Sequence, residues 1–245
     1  MNVFGVSVMI FEDGSSSNRG IWRGSLALGP LASLFHMPVT IGLLVTDSVL
    51  ILIYGILGLL SQQGSIVTFP ASLRLDVDWG LGEMANYLKW IAISGLSLLL
   101  LVRSKAPIFL ALAVLALVAL LDDSLQLHER FGDAGLPALL PQLQLPAGVG
   151  ELAFMMIEGV VLVGLFIWGW ASTSKAIRRQ VVPILALLGG AVFCAAGIDF
   201  FHTNAPDIPG LNGVLIILED GGEMIFLSLV VGYVAGLVSR IQAAT

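Results

Sequence analysis

The sequence predicts an all-α membrane protein of six transmembrane helices, the last four forming a bundle around a polar site. Composition is the first reason: 57% of the 245 residues are hydrophobic and only 11% are charged, whereas soluble domains run near a quarter charged. Mean hydropathy is the second, at +0.97. The third is that six stretches reach the roughly 20 mostly apolar residues that a crossing needs.

Residues 1–38 read as a cytoplasmic N-terminal segment. Its start is apolar, but Glu12 and Asp13 follow and no basic region precedes, so no cleavable signal peptide is expected. Residues 24–37 suit a helix lying in the interface. The six-helix domain occupies 39–245, with spans at about 39–60, 86–103, 107–129, 150–171, 181–203 and 213–239. Arg19 and Arg23 precede the first span, Arg103 and Lys105 fill the second-to-third connection, Lys175, Arg178 and Arg179 the fourth-to-fifth, and Arg240 follows the sixth. The other connections hold Asp, Glu and Arg74, with Arg130 at a helix end. The positive-inside bias therefore puts both termini in the cytoplasm of a cell (inner) membrane protein. Trp168 and Trp170, and Tyr87 and Trp90 beside Lys89, suit the interfacial belts. Loops 61–85 and 130–149 lie on the outer side, long enough to fold over that face or to form a lid.

Eight carboxylates and two histidines interrupt these spans. They are Asp122, Asp123, His128 and Glu129 in the third, Glu158 in the fourth, Asp199 and His202 in the fifth, and Glu219, Asp220 and Glu223 in the sixth. An ionised carboxylate in hydrocarbon is costly and marks function by default. Setting the eight aside leaves nine of the 17 acids against 11 Lys and Arg, so the net charge of −6 belongs to this cluster. Span directions put all four groups in the outer third of the bilayer, at 1.5 Å of rise per residue. Crowded negative charge at one depth requires metal ions, protons or both.

Helical phase sorts the residues. Asp199 and His202 are i,i+3, Glu219 and Glu223 i,i+4, and Asp122 and Glu129 i,i+7, so each pair shares a face. Asp123 and Asp220 point about 100° from their neighbours and are expected behind the others, carrying protons as the catalytic pair. Asp122, His128, Glu129, Glu158, Asp199, His202, Glu219 and Glu223 are the expected metal ligands. Oxygen-rich donors with two imidazoles suit iron best, with manganese or zinc as alternatives, and two ions are preferred over one.

Other polar residues have plainer readings. Asp47, between Thr46 and Ser48, reads as a protonated, hydrogen-bonded packing residue, and His36 as interfacial. Met155, Met156 and Met224 read as packing residues. Cys194, the sole cysteine, excludes an intrachain disulfide and reads as inert. With Ala186, Gly190 and Gly197 it forms a small-residue packing ridge. No basic tract suggests nucleic acid.

The segments 121–129 (Leu-Asp-Asp-Ser-Leu-Gln-Leu-His-Glu) and 218–223 (Leu-Glu-Asp-Gly-Gly-Glu) resemble a pattern in bacterial multi-pass membrane proteins. There Asp-Glu precedes His-Glu by four residues and a Glu-Glu-x-x-Glu helix follows. Asp123 and Asp220 stand where that pattern has Glu, and the resemblance implies no activity. In type, the residues are also similar to the sites of di-iron carboxylate bundles.

The leading expectation is a dimetal, di-iron-like oxidoreductase acting on a small or lipid-soluble substrate near the outer face. A cation or proton transporter is one alternative. An accessory or assembly subunit of a larger membrane complex is another. Expected partners are the lipid bilayer and other membrane proteins or further copies of the chain.

Overall fold

The protein is described by a computed structural model covering residues 34–65, 69–139, 142, 147–203, 205–206, 208 and 210–243. Among these there is no strand. The helices are α1 (Met37–Gln62), α2 (Leu81–Ser104), α3 (Ile108–Leu125), α4 (Leu127–Arg130), α5 (Leu136–Leu139), α6 (Ala147–Ala171), α7 (Lys175–Val192), α8 (Asp199–Thr203), α9 (Leu211–Ile216) and α10 (Gly222–Ala243). π-helical turns at Phe131–Gly135, Phe193–Ile198 and Ile217–Gly221 join α4 to α5, α7 to α8 and α9 to α10. Among the described residues there are therefore six helices long and apolar enough to cross a membrane: α1, α2, α3, α6, Lys175–His202 and Leu211–Gln242. The interfacial helix expected at 24–37 falls mostly outside the described residues.

Two helix ends depart from the hydropathy pattern. The second helix starts at Leu81 rather than near 86, because Gly80 supplies an extended N-cap. Five residues thereby move from the connection into the helix, Glu83 among them. The third helix stops at Leu125, where Gln126 turns left-handed at φ 51° and its N–H bonds back to the carbonyls of Asp122 and Asp123. A non-glycine residue in that region ends a helix. The expected continuation to Glu129 is a separate short helix, so Asp122 and Glu129 do not share a stripe. Helix then extends to Leu139, through residues expected in a loop.

α10 is the central helix: it packs against α1, α2 and α7, while α3 lies on the other side of α2 and α6 on the far side of α3. Ile93, Leu100, Phe109, Leu112, Val181, Ile184, Leu227, Val230 and Val234 fill the shared core. Lipid offers little hydrophobic drive for helix association, so close approach depends on small residues. A Cβ on Gly222 would fall 2.6 Å from the Cys194 sulfur, and one on Gly232 would collide with Thr40. Cys194 and Gly190 do face α10, as the ridge reading expects, whereas Ala186 is exposed. On α6, Val160, Val161 and Val163 present an exposed apolar face suited to lipid.

Candidate functional site

A cavity of about 380 Å³ opens at the end of the bundle that carries the 61–85 and 204–212 connections. Eight carboxylates line it: Asp76, Asp78, Glu83, Asp123, Glu129, Glu219, Asp220 and Glu223. His128 and His202 line it too, and among the described residues no Lys or Arg does. Five of these acids are among those expected from the sequence.

Two matching acid–imidazole dyads flank the cavity. In Leu121-Asp122-Asp123, the first acid bonds His128: Oδ2 lies 2.9 Å from Nδ1, and Oδ1 accepts the His128 backbone N–H at 3.0 Å. In Leu218-Glu219-Asp220, the first acid again meets an imidazole, Glu219 Oε2 lying 2.9 Å from His202 Nδ1. The second acid of each pair, Asp123 or Asp220, lines the cavity.

This reverses part of the phase argument. Asp123 and Asp220 were expected behind their neighbours, yet both face the cavity, while Asp122 does not line it. Two backbone features account for the positions of His128 and Asp220. The helix break at Gln126 lets His128 fold back onto Asp122. The π-turn at Ile217–Gly221 adds a residue to the turn, so 100° per residue fails where Glu219 and Asp220 sit.

The dyads differ in one respect. The His202 Nε2 lies 2.6 Å from Asn212 Oδ1, so both of its ring nitrogens are engaged. Among the described residues, the His128 Nε2 has Glu129 Oε1 beside it, at 3.9 Å. A carboxylate on one nitrogen with the other turned to a cavity is how a ligand histidine is oriented. Of the two, His128 has that arrangement.

Glu158 and Asp199 lie outside the lining. Glu158 stands on α6, where the charges of Asp122 and His128 reach it. Asp199 is exposed, on the rim near Glu219. Among the described residues, no three His, Cys, Asp or Glu side chains converge tightly enough to grip an ion as they stand.

Residues left unassigned by the sequence reading complete the walls. Glu83 accepts hydrogen bonds from Tyr87 Oη at 2.8 Å and from the Trp79 backbone N–H, pinning the start of α2. A glutamate three residues after an N-cap is a recognisable helix-start signal, and Gly80 with Glu83 has that spacing. Above it, Arg74 is paired with Asp76 and Gln126 donates to Asp78, closing the 69–80 segment over the mouth. Asp76 holds the Arg74 guanidinium above its ordinary range, chiefly by hydrogen bonding. At the rim, burial and then the Asp78 charge raise the Glu129 carboxyl, against the opposing pull of His128.

Tyr87, Lys89 and Trp90 do not form an interfacial belt; all three are buried. Trp90 lines the cavity, where its buried indole N–H acts on the Asp123 carboxyl. Beneath the cavity floor, Lys89 Nζ donates to Asp47 Oδ1 at 2.7 Å, to Asn86 Oδ1 at 3.2 Å and to the Met224 carbonyl at 3.0 Å. Ser228 Oγ donates to the other Asp47 oxygen. Asp47 is thus hydrogen-bonded and packed, as expected, and is also the partner of Lys89. The detectable signal was that each span, the first and the second, carries one charge deep in apolar sequence, and the two signs are opposite. His36 is not simply interfacial either: its Nδ1 is buried where its backbone N–H bonds Gly232 of α10.

Neither the curated proteins nor the solved structures provide a match to this chain. Residues 31–237 match a family model, and the chain belongs to the family described as "Domain of unknown function (DUF8692)".

Proposed function

We propose that the chain is a metal-binding membrane protein whose cavity takes one or two divalent transition-metal ions, most suitably iron, for oxidoreductase chemistry on a small or lipid-soluble substrate. One observation carries this reading: eight acids and two imidazoles line a single cavity with no Lys or Arg among the lining residues. Such a concentration of negative charge calls for cations, and the mixed oxygen and nitrogen donors suit iron, manganese or zinc. His128, Asp123, Glu219 and Glu223 are the proposed ligands, drawn in by side-chain rotation from the common lining. Asp122 orients His128, and Asp220 handles protons. The bound metal would supply Lewis acidity and redox capacity.

The site end is proposed to face outwards in the cell membrane. Arg103, Lys105, Lys175, Arg178 and Arg240 lie at the opposite helix ends, which supports that orientation under the positive-inside rule. A cysteine placed at Ser65 should react with a membrane-impermeant maleimide in intact cells, and one at Ser174 only after permeabilisation. The reverse pattern would place the cavity on the cytoplasmic side.

Cation or proton translocation is the second reading, favoured by the Asp47–Lys89 pair that brings charge beneath the cavity floor. Two assays separate the readings. Metal-dependent oxygen consumption by the purified protein supports the first, and metal or proton flux in proteoliposomes without turnover supports the second. Under either, Asp122→Asn should weaken metal binding by about 10–100-fold, because it removes the group that orients His128. Unchanged affinity would show that His128 is not a ligand.

A further inference from the structure

Among the described residues, the ammonium of Lys89 is the basic group held against the cavity from below. It does not line the space itself, but Asn86 and Met224, two of its three hydrogen-bond partners, do. Its third partner, Asp47 on α1, is fully buried, and Lys89 is 2% exposed. Glu223, one residue before Met224, forms part of the cavity lining, and the charges that act on it are those of Asp123, Asp220 and Glu83 on one side and Lys89 on the other. Lys89 therefore stands between a carboxylate it neutralises, Asp47, and a carboxylate it only partly compensates, Glu223.

A buried ammonium bound by a carboxylate, an amide oxygen and a backbone carbonyl is coordinated as a metal cation would be, by oxygen atoms alone. The Ser228 hydroxyl on Asp47 completes a polar shell built from α1, α2 and α10.

From this geometry we infer that Lys89 is a resident cation of the site, occupying its innermost position and limiting the affinity and number of the cations that the cavity accepts. The inference deepens the cation-binding reading and rests on it. The tethered charge weakens binding at Glu223 by repulsion and keeps a mobile ion from descending to Asp47. Charges several ångströms apart inside a protein interact by kilocalories rather than tenths, so the effect on affinity is large. Removing Lys89 together with the Asp47 charge keeps the buried pair neutral overall while taking away the nearer, positive member.

The test is titration of the purified full chain in detergent with Mn²⁺, read by calorimetry and by the paramagnetic signal of the free ion. Wild type is compared with Lys89→Arg and with the charge-neutral double variant Asp47→Asn/Lys89→Met. The double variant should bind Mn²⁺ at least about ten-fold more tightly, or take up an additional ion, while Lys89→Arg remains near wild type. Binding by the double variant where wild type shows none would equally support the inference. If wild type binds and the double variant binds with the same affinity and stoichiometry, the Lys89 assignment is overturned and the cavity reading survives. If none of the three binds, the cation-binding reading itself fails, and this inference with it.

Discussion

Replacing Lys89 alone with methionine is expected to destabilise the protein by about 3–5 kcal/mol, because it leaves Asp47 buried and uncompensated. The pair has no solvent to fall back on, with Asp47 at 0% and Lys89 at 2% exposure. Its remaining partners cannot substitute: Ser228 offers Asp47 one neutral hydroxyl, and Asn86 and Met224 offer only oxygen acceptors toward Lys89. Asp47→Asn/Lys89→Met should recover most of the loss, since replacing both members of a buried pair is often close to neutral. Chemical or thermal unfolding in detergent, followed by helical circular dichroism, measures both. A single variant as stable as wild type would mean that the pair is hydrated or not formed.

Glu223→Gln is expected to lower divalent-ion affinity by about 100-fold or more, on the scale of removing one directly bound charge from a partly buried site. The substitution keeps size and hydrogen-bonding capacity, so folding should be little affected. Glu223 is singled out because its neighbours Asp123, Asp220 and Glu83 reach it from α3, the π-turn before α10 and α2. Affinity should also fall as the medium is acidified, since ligands must shed protons to bind metal. Because the Glu129 carboxyl is held above its ordinary range, it takes up a proton before a free carboxylate would. That proton lowers the negative charge lining the cavity, so affinity should begin to weaken on the alkaline side of the usual carboxylate range. Mn²⁺ titrations across pH check both expectations. Affinity that ignores Glu223→Gln, or that rises on acidification, would count against the proposal.

Hydropathy made the six crossings legible because spans in lipid must be long and uniformly apolar. Convergence of Asp123, His128, Glu129, His202, Glu219, Asp220 and Glu223 was legible for a related reason: span direction and rise per residue place them at one depth. What failed was side-chain direction. Phase assumes an uninterrupted α-helix, and the backbone departs from it at Gln126 and at Ile217–Gly221. The π-turn altered the directions of Glu219 and Asp220, and the break at Gln126 folded His128 back onto Asp122.

Asp76 and Asp78 were missed because their stretch looked like an outer loop, and only its folding back over the mouth brings them in, while Glu83 was missed because the helix that carries it starts earlier than hydropathy suggested. Lys89 was missed for a different reason. Near Tyr87 and Trp90 it resembled an interfacial anchor, a pattern that holds only if the helix begins late. With α2 starting at Leu81, Lys89 is more than two turns inside the helix and needs a counter-charge, which Asp47 supplies.

The central claim, that the acidic cavity is a metal site, is tested most directly by metal analysis combined with anomalous scattering on protein purified from metal-replete cells. The account predicts one or two equivalents of a transition metal, with scattering peaks inside the cavity beside His128, about 3.5–4 Å apart if two ions are present. Less than about half an equivalent of any transition metal, or peaks only outside the cavity, would contradict it.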